Sequence, residues 1–255
     1  KSPDLVFHLA SITDTGAKDH SINDVGARNL VEAIQPIHGK THFIFTSTIA
    51  VSDHRADRVL AVNESTSLLT PYNEYGRKKL LTEAYLKDRC RTDGFSLSIV
   101  RLCAIYGSGT RKDGLYDQLV RFSKNESLLG RLDYPGRMGL THVEDIADVL
   151  VRLSESRPVP GQDELLIPVA ESLTITEMVE AMYSYLARPF RPVRLPAIFW
   201  SICDWGASVF YRLEPLIPHG IYNKLWQLSL LVNNSFHNRS IRIQERLPSK
   251  SFKTF

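Results

Sequence analysis

The chain has 255 residues, 43% hydrophobic and 23% charged, a balance that excludes collagen-like, low-complexity and wholly disordered classes. Against a soft prior of about 150 residues per domain, this length predicts one large domain or a domain with a smaller companion, able to bury a core without staples. The 31 Lys plus Arg against 28 Asp plus Glu leave a net charge of +3, so no whole-molecule pull toward nucleic acid or anionic membrane is expected.

Cys90, Cys103 and Cys203 form no Cys-x-x-Cys pair and are odd in number. That predicts neither a disulfide framework nor a zinc site, and it suits a reducing, cytoplasmic setting. The sequence opens Lys1-Ser2-Pro3-Asp4 with no Met and no charged-then-apolar leader, and the expectation is an N-terminally truncated chain.

Residues 4–10 form a short apolar run around Val6 and Phe7, read as a buried strand. Over residues 21–37, Ile22, Val25, Leu30, Val31 and Ile34 recur mainly at helical spacing, with Pro36 at the exit. Residues 41–48 are β-rich and apolar through Phe43, Ile44 and Phe45, as expected when helices cover both faces of a parallel sheet. After a polar stretch, Pro71 opens a helix through Tyr75, Lys79, Leu80 and Tyr85 that runs to about Asp88. Residues 95–105 read as a third strand. Strand and helix alternate with short connections, which predicts an α/β fold built on a doubly wound parallel sheet.

Beyond Gly107 the alternation loosens, with helices expected over 115–122 and 142–154 and a short strand over 164–169. Thr174 and Glu177 fit a capping box at the head of a helix carrying Met178, Val179, Met182 and Leu186. Residues 196–218 hold Ile198, Phe199, Trp200, Ile202, Trp205, Val209, Phe210 and Tyr211, but Asp204, Arg212 and Glu214 interrupt them too often for a membrane span. Packing on the core is the preferred reading of this segment, and an amphipathic helix in a membrane interface is the alternative. The tail after Leu231 has little periodicity and is expected to end loosely. The division read from these patterns is residues 1–108, 109–231 and a tail, 232–255.

The sharpest chemical signal is Tyr75-Gly76-Arg77-Lys78-Lys79, a phenol and an ammonium four apart on one helix face, after a strand ending Thr46-Ser47-Thr48. A nearby ammonium favours the phenolate, so such a pair can act as general acid or base, and Thr48 can hydrogen-bond the reacting oxygen. Alone, the spacing is common on solvated helices. Here it follows a strand end in a βαβ series, where ligands of such sheets bind.

Other polar residues read as structural. His8 is expected to pack in its strand, because no second ligand stands at metal spacing, and His142 and Asp145 fit a helix start. Arg111, Lys112, Arg121, Lys124, Arg131 and Arg137 read as a solvated surface. Asn63, Asn125 and Asn238 head glycosylation-like triplets, taken as chance without a secretory leader.

In its ordered motifs the chain resembles the extended short-chain dehydrogenase/reductase family, and within it the NAD-dependent epimerase/dehydratase group. Phe7-His8-Leu9-Ala10 is similar to that family's strand ending in His-Leu-Ala, Asn23-Asp24-Val25-Gly26 to its Asn-x-x-Gly helix start, and residues 45–51 to its Ser/Thr-rich strand end. Residues 101–107 resemble its Arg-Pro-x-Asn-x-Tyr-Gly segment, and residues 142–147 its Val-Asp-Asp-Val-Ala helix.

The resemblance implies a Rossmann-like fold with a smaller α/β substrate-binding part, an NAD or NADP cofactor, a small-molecule substrate and a homodimer. It implies Tyr75 as catalytic acid/base, Lys79 on the nicotinamide ribose while lowering the Tyr pKa, and Thr48 orienting the substrate oxygen. Leu9, Ala10, Ser11, Asn23 and Cys103 match positions lining the cofactor. The implied reaction is hydride transfer, as net redox chemistry or as a step of epimerisation or dehydration. The family's Gly-rich turn precedes the His-Leu-Ala strand and is not in this sequence, so the chain as given is expected to bind cofactor poorly. Ala104 departs from the Asn that sugar-nucleotide members carry, which leaves a sugar nucleotide and an apolar alcohol both open as substrates. A non-catalytic nucleotide sensor and a peripheral membrane protein with this fold are the competing classes.

Overall fold

A computed structural model describes residues 3–255 apart from 16, 18, 35–39, 54–60, 111, 113 and 234–235. The first half of the chain forms β1 (Leu5–His8), α1 (Val25–Ala33), β2 (His42–Thr48), α2 (Glu74–Asp93), β3 (Ser96–Leu102) and β4 (Ala104–Tyr106). Then follow α3 (Leu115–Lys124), β5 (Arg137–His142), α4 (Val143–Glu155), β6 (Asp163–Leu166), β7 (Glu171–Thr174) and α5 (Ile175–Tyr185). Helices α6 (Ala197–Arg212), α7 (His219–Ser229) and α8 (Ile243–Arg246) end the chain. Four parallel strands in the order β1-β2-β3-β6 make the main sheet, and β4-β5-β7 make a second one.

The expected two-sided burial is observed at β2 but not at β1, which was read as a buried strand and leaves Leu5 and Phe7 exposed at the edge of the sheet. Every residue of β2 is buried, and alternation divides the strand between two helix layers. Phe43 and Phe45, with Leu97 and Ile99 of β3, meet Val31 of α1 and Leu86 and Cys90 of α2. Ile44 and Val100 face the other way, onto Val149 and Leu153 of α4 and Ile243 of α8. Burying both faces is what makes these strands read as apolar runs.

Several boundaries differ from expectation. Residues 95–105 are two strands, because Cys103 lies between β3 and β4 and the chain passes there from one sheet to the other. Strand β5 starts at Arg137, the last residue of the stretch read as basic, and neither it nor β7 was foreseen. Helix α2 begins after Asn73, whose side chain accepts from the Gly76 N–H at 2.7 Å, and it runs on to Gly94, which closes it at φ 76°. The helix expected over 21–37 is α1 preceded by a short 3-10 turn, Ser21–Asn23, while Pro36 and Arg111 lie outside the described residues.

The capping box is present. Thr174 Oγ1 accepts from Glu177 N at 3.1 Å, and Glu177 accepts from Thr174 N at 2.7 Å. His142 caps α4, accepting from Glu144 N through Nδ1, and Asp145 is buried against Lys250 at 2.6 Å. The described part of the tail packs on the rest of the molecule, against the expected loose end. Ile243 and Leu247 enter the core beneath β2 and β3, and Phe255 stacks edge-on against Tyr106 at 5.1 Å. Apolar residues spread over short turns have no single period, which is why the sequence pattern missed them.

Candidate active site

The site is assembled where β2 ends and α2 begins. Thr48 closes β2 and caps the short 3-10 turn that follows, its Oγ1 accepting from Ala50 N at 3.2 Å. A Cβ on Gly76 would stand 2.4 Å from the Ala50 carbonyl oxygen, so only glycine lets the first turn of α2 approach this closely. That approach sets Tyr75 against Thr48. The phenol lies beside the hydroxyls of Thr48 and Ser11, and its ring is buried.

Lys79 is buried one turn further along α2. Its ammonium donates to the Thr46 carbonyl at 2.9 Å and lies over the Phe45 ring at 4.7 Å. Burial lowers its pKa to about 8, against an opposing pull from Glu83. Burial holds the Tyr75 phenol above its ordinary value, with Thr48 and Ser11 acting the other way. The ammonium is directed at the strand rather than at the phenol oxygen.

The residues present fit a dinucleotide bearing ribose hydroxyls. Among the described residues the buried Lys79 ammonium makes a single hydrogen bond, so its donor capacity is not filled by the protein there. Leu9 and Ala10 are exposed where the chain leaves β1, and Ser11 beside Tyr75 can border the same ligand. Asn23 does something else. Its amide accepts from Ser11 Oγ and Ile12 N and donates to the Ile12 carbonyl, so it braces the loop that carries Ser11. His8 packs on Phe45 at 5.4 Å, and burial lowers its pKa to about 4, as expected of a neutral core histidine.

Tyr75 and Thr48 open onto a cavity of about 670 Å³. Cys103 and Ala104 also line it, with Met138, Trp226 and Phe236. Burial raises the Cys103 thiol far above its usual value, so it serves as an apolar wall. No group of three His, Cys, Asp or Glu able to hold a metal occurs among the described residues.

Three supporting residues escaped the sequence reading. Glu83 lies one turn beyond Lys79, accepts from Ser47 Oγ at 2.5 Å and is paired with Arg101 at 2.7 Å, tying α2 to β2 and β3. Its spacing of four from Lys79 was the available signal. His20 is fully buried with its ring 5.8 Å from that of Tyr75. Asp53 accepts from Tyr72 N at 2.8 Å, Asn73 Nδ2 at 2.5 Å and Trp226 Nε1 at 2.9 Å, joining the head of α2 to α7 across the cavity.

Burial raises the Asp53 carboxyl to about 6 despite those donors. An unfolded Asp titrates near ~3.9, so between the two values the unfolded chain has released its proton while the folded one has not. Stability therefore falls as pH rises from about 4 to about 6, by about 3 kcal/mol from this group, and is flat above. The difference in urea stability between the parent and Asp53→Asn should show that step. A difference constant across this range removes the assignment.

The sequence profile of the NAD dependent epimerase/dehydratase family matches residues 1–164. The chain is 28% identical over 177 residues to 2'-dehydrokanamycin reductase of Streptomyces kanamyceticus, covering 67% of this chain and 47% of that protein. It is 28% identical over 108 residues to D-erythronate dehydrogenase of Haemophilus influenzae, covering 39% and 33%. The chain thus spans half or less of the length of these relatives.

Among solved structures, RMD from Pseudomonas aeruginosa complexed with NADPH superposes with a TM-score of 0.62 at 22% identity, over 77% of this chain and 70% of that one. UDP-glucuronic acid 4-epimerase from Bacillus cereus, in complex with UDP-glucuronic acid and NAD, gives 0.63 at 21%, over 75% and 62%. These neighbours establish a shared fold, and the profile, matched over most of the chain, shows that it belongs to the NAD dependent epimerase/dehydratase family.

Proposed function

We propose that the protein catalyses hydride transfer at a substrate carbon bearing a hydroxyl or carbonyl, with Tyr75 as acid or base, Thr48 orienting the reacting oxygen and Lys79 holding the nicotinamide ribose. The observation that carries this reading is the contact of the Tyr75 phenol with Thr48 at the cavity, with a buried ammonium one turn along the same helix. A bound nicotinamide dinucleotide would supply the hydride acceptor or donor. Tyr75 takes the hydroxyl proton in oxidation and returns it in reduction. NADPH and NAD in the structural neighbours support either dinucleotide as cofactor.

The cavity wall supports a substrate with an apolar body. Ile49, Leu102, Met138, Trp226 and Phe236 line it, and Ala104 presents a methyl group there in place of an amide. The same reading includes a homodimer packed through α2, whose Leu81 is half exposed, and a cytoplasmic setting, supported by three free cysteines. Among the described residues no helix is long and apolar enough to cross a membrane.

Titrating the complete native polypeptide with NADH and NADPH, followed by nicotinamide fluorescence, is the test. Saturable binding of one of them, with hydride transfer to an apolar ketone, is the expected result. Binding of neither overturns the proposal.

A further inference from the structure

Helices α6 and α7 leave much of their apolar surface to solvent, contrary to the core packing preferred from sequence. On α6 only Ala207 and Tyr211 are buried. Ile198, Ile202, Trp205 and Val209, spaced four, three and four apart, form one exposed stripe, with Trp205 70% exposed. Ile221, Leu225 and Leu228 repeat the pattern on α7. Beside the stripe, a groove of about 510 Å³ between the two helices is lined by Leu225 and Leu228 of α7 and by Phe199, Cys203 and Phe210 of α6. Contiguous apolar patches beyond a few hundred Å² are rare on proteins that have no partner there.

The charges around this surface have one sign. Arg194 lies in the segment that leads into α6 and Arg212 is its last residue, three beyond Val209, so a cation flanks the helix at each end. Arg191 and Lys224 add two more, all four are exposed, and none is ion-paired among the described residues. Of the acids nearby, Glu214 is neutralised by Arg77 at 2.7 Å and Asp204 is half-buried. Long cationic side chains at the ends of an apolar stripe lie along it while their heads reach a polar layer. A two-fold contact with a second copy would instead bring the cations of both chains together.

We infer that α6 and α7 dock on an anionic lipid bilayer, with Ile202 and Trp205 in its interface and Arg194 and Arg212 on its headgroups. Helix α7 would then be the wall between the bilayer and the cavity of Tyr75, since Lys224, Trp226 and Leu228 line that cavity. The inference does not depend on the redox reading.

Co-sedimentation of the complete native polypeptide with phosphatidylcholine vesicles, with and without phosphatidylserine, tests it. Binding is expected with phosphatidylserine, weakened at high salt. It should fall about tenfold in Ile202→Ser/Trp205→Ser and about tenfold in Arg194→Ser/Arg212→Ser, with circular dichroism unchanged because all four positions are exposed. No binding by the parent, or binding by both variants equal to that of the parent, overturns the inference. So does a parent dimer that ignores vesicles and becomes monomeric in the stripe variant, which would assign this face to a second copy.

Discussion

Tyr75→Phe is expected to fold and melt as the parent does, and to bind the dinucleotide, while turning over substrate about 10³-fold more slowly. The change removes one oxygen. The ring keeps its place at the head of α2 and beside His20, and the neighbouring hydroxyls keep their own bonds, Ser11 to Asn23 and Thr48 to Ala50 N. A fall in turnover with unchanged binding identifies an interaction made in the transition state rather than in the ground state. Because burial keeps the phenol protonated, oxidation should speed as pH rises while reduction, which uses the protonated form, should not. A Tyr75→Phe protein with the parent rate on the true substrate would remove Tyr75 from the chemistry.

The second large effect is on stability. Arg101→Met is expected to lower unfolding free energy by about 3–5 kcal/mol, because Glu83 would remain buried with its salt-bridge partner gone and Ser47 as its remaining hydrogen-bond donor. Glu83→Leu with Arg101→Met should recover much of that loss, since removing both charges leaves no unpaired ion. Urea denaturation of the parent, both single variants and the pair gives the coupling, expected to exceed about 2 kcal/mol. If Arg101→Met lost under about 1 kcal/mol, the pair would not be what fastens α2 to the sheet.

What could be read in advance follows from where the deciding contacts lie. The run through Phe43, Ile44 and Phe45 announced a strand covered on both sides because its surroundings act residue by residue, and Thr174 with Glu177 announced a helix start because a capping box is local. Tyr75, Lys79 and Thr48 were legible as a group through spacing and strand order. The division at Cys103 was not, since Leu102, Cys103, Ala104 and Ile105 continue an apolar run and only the partners β5 and β6 show that the sheet has changed. Strand β5 was hidden by its arginine and glycine. Arg137 pairs with Glu177 at 3.0 Å, and a Cβ on Gly139 would meet Asn238 and Cys103. Asp53 belongs with Trp226, which is 173 residues away, and no window of sequence reports such a partner.

The passage at Cys103 also bears on how the protein can move. The first sheet ends at Leu102 and the second starts at Ala104, so a single residue separates them. Hinged closure of two lobes needs a few residues free to absorb large dihedral changes. Cys103 is enclosed, close enough to Gly139 that a Cβ there would reach within 3.1 Å of its sulfur. This joint has no slack. The base of the cleft is therefore a packed joint, in which Leu102, Cys103 and Ala104 are at once the link between the sheets and part of the cavity wall.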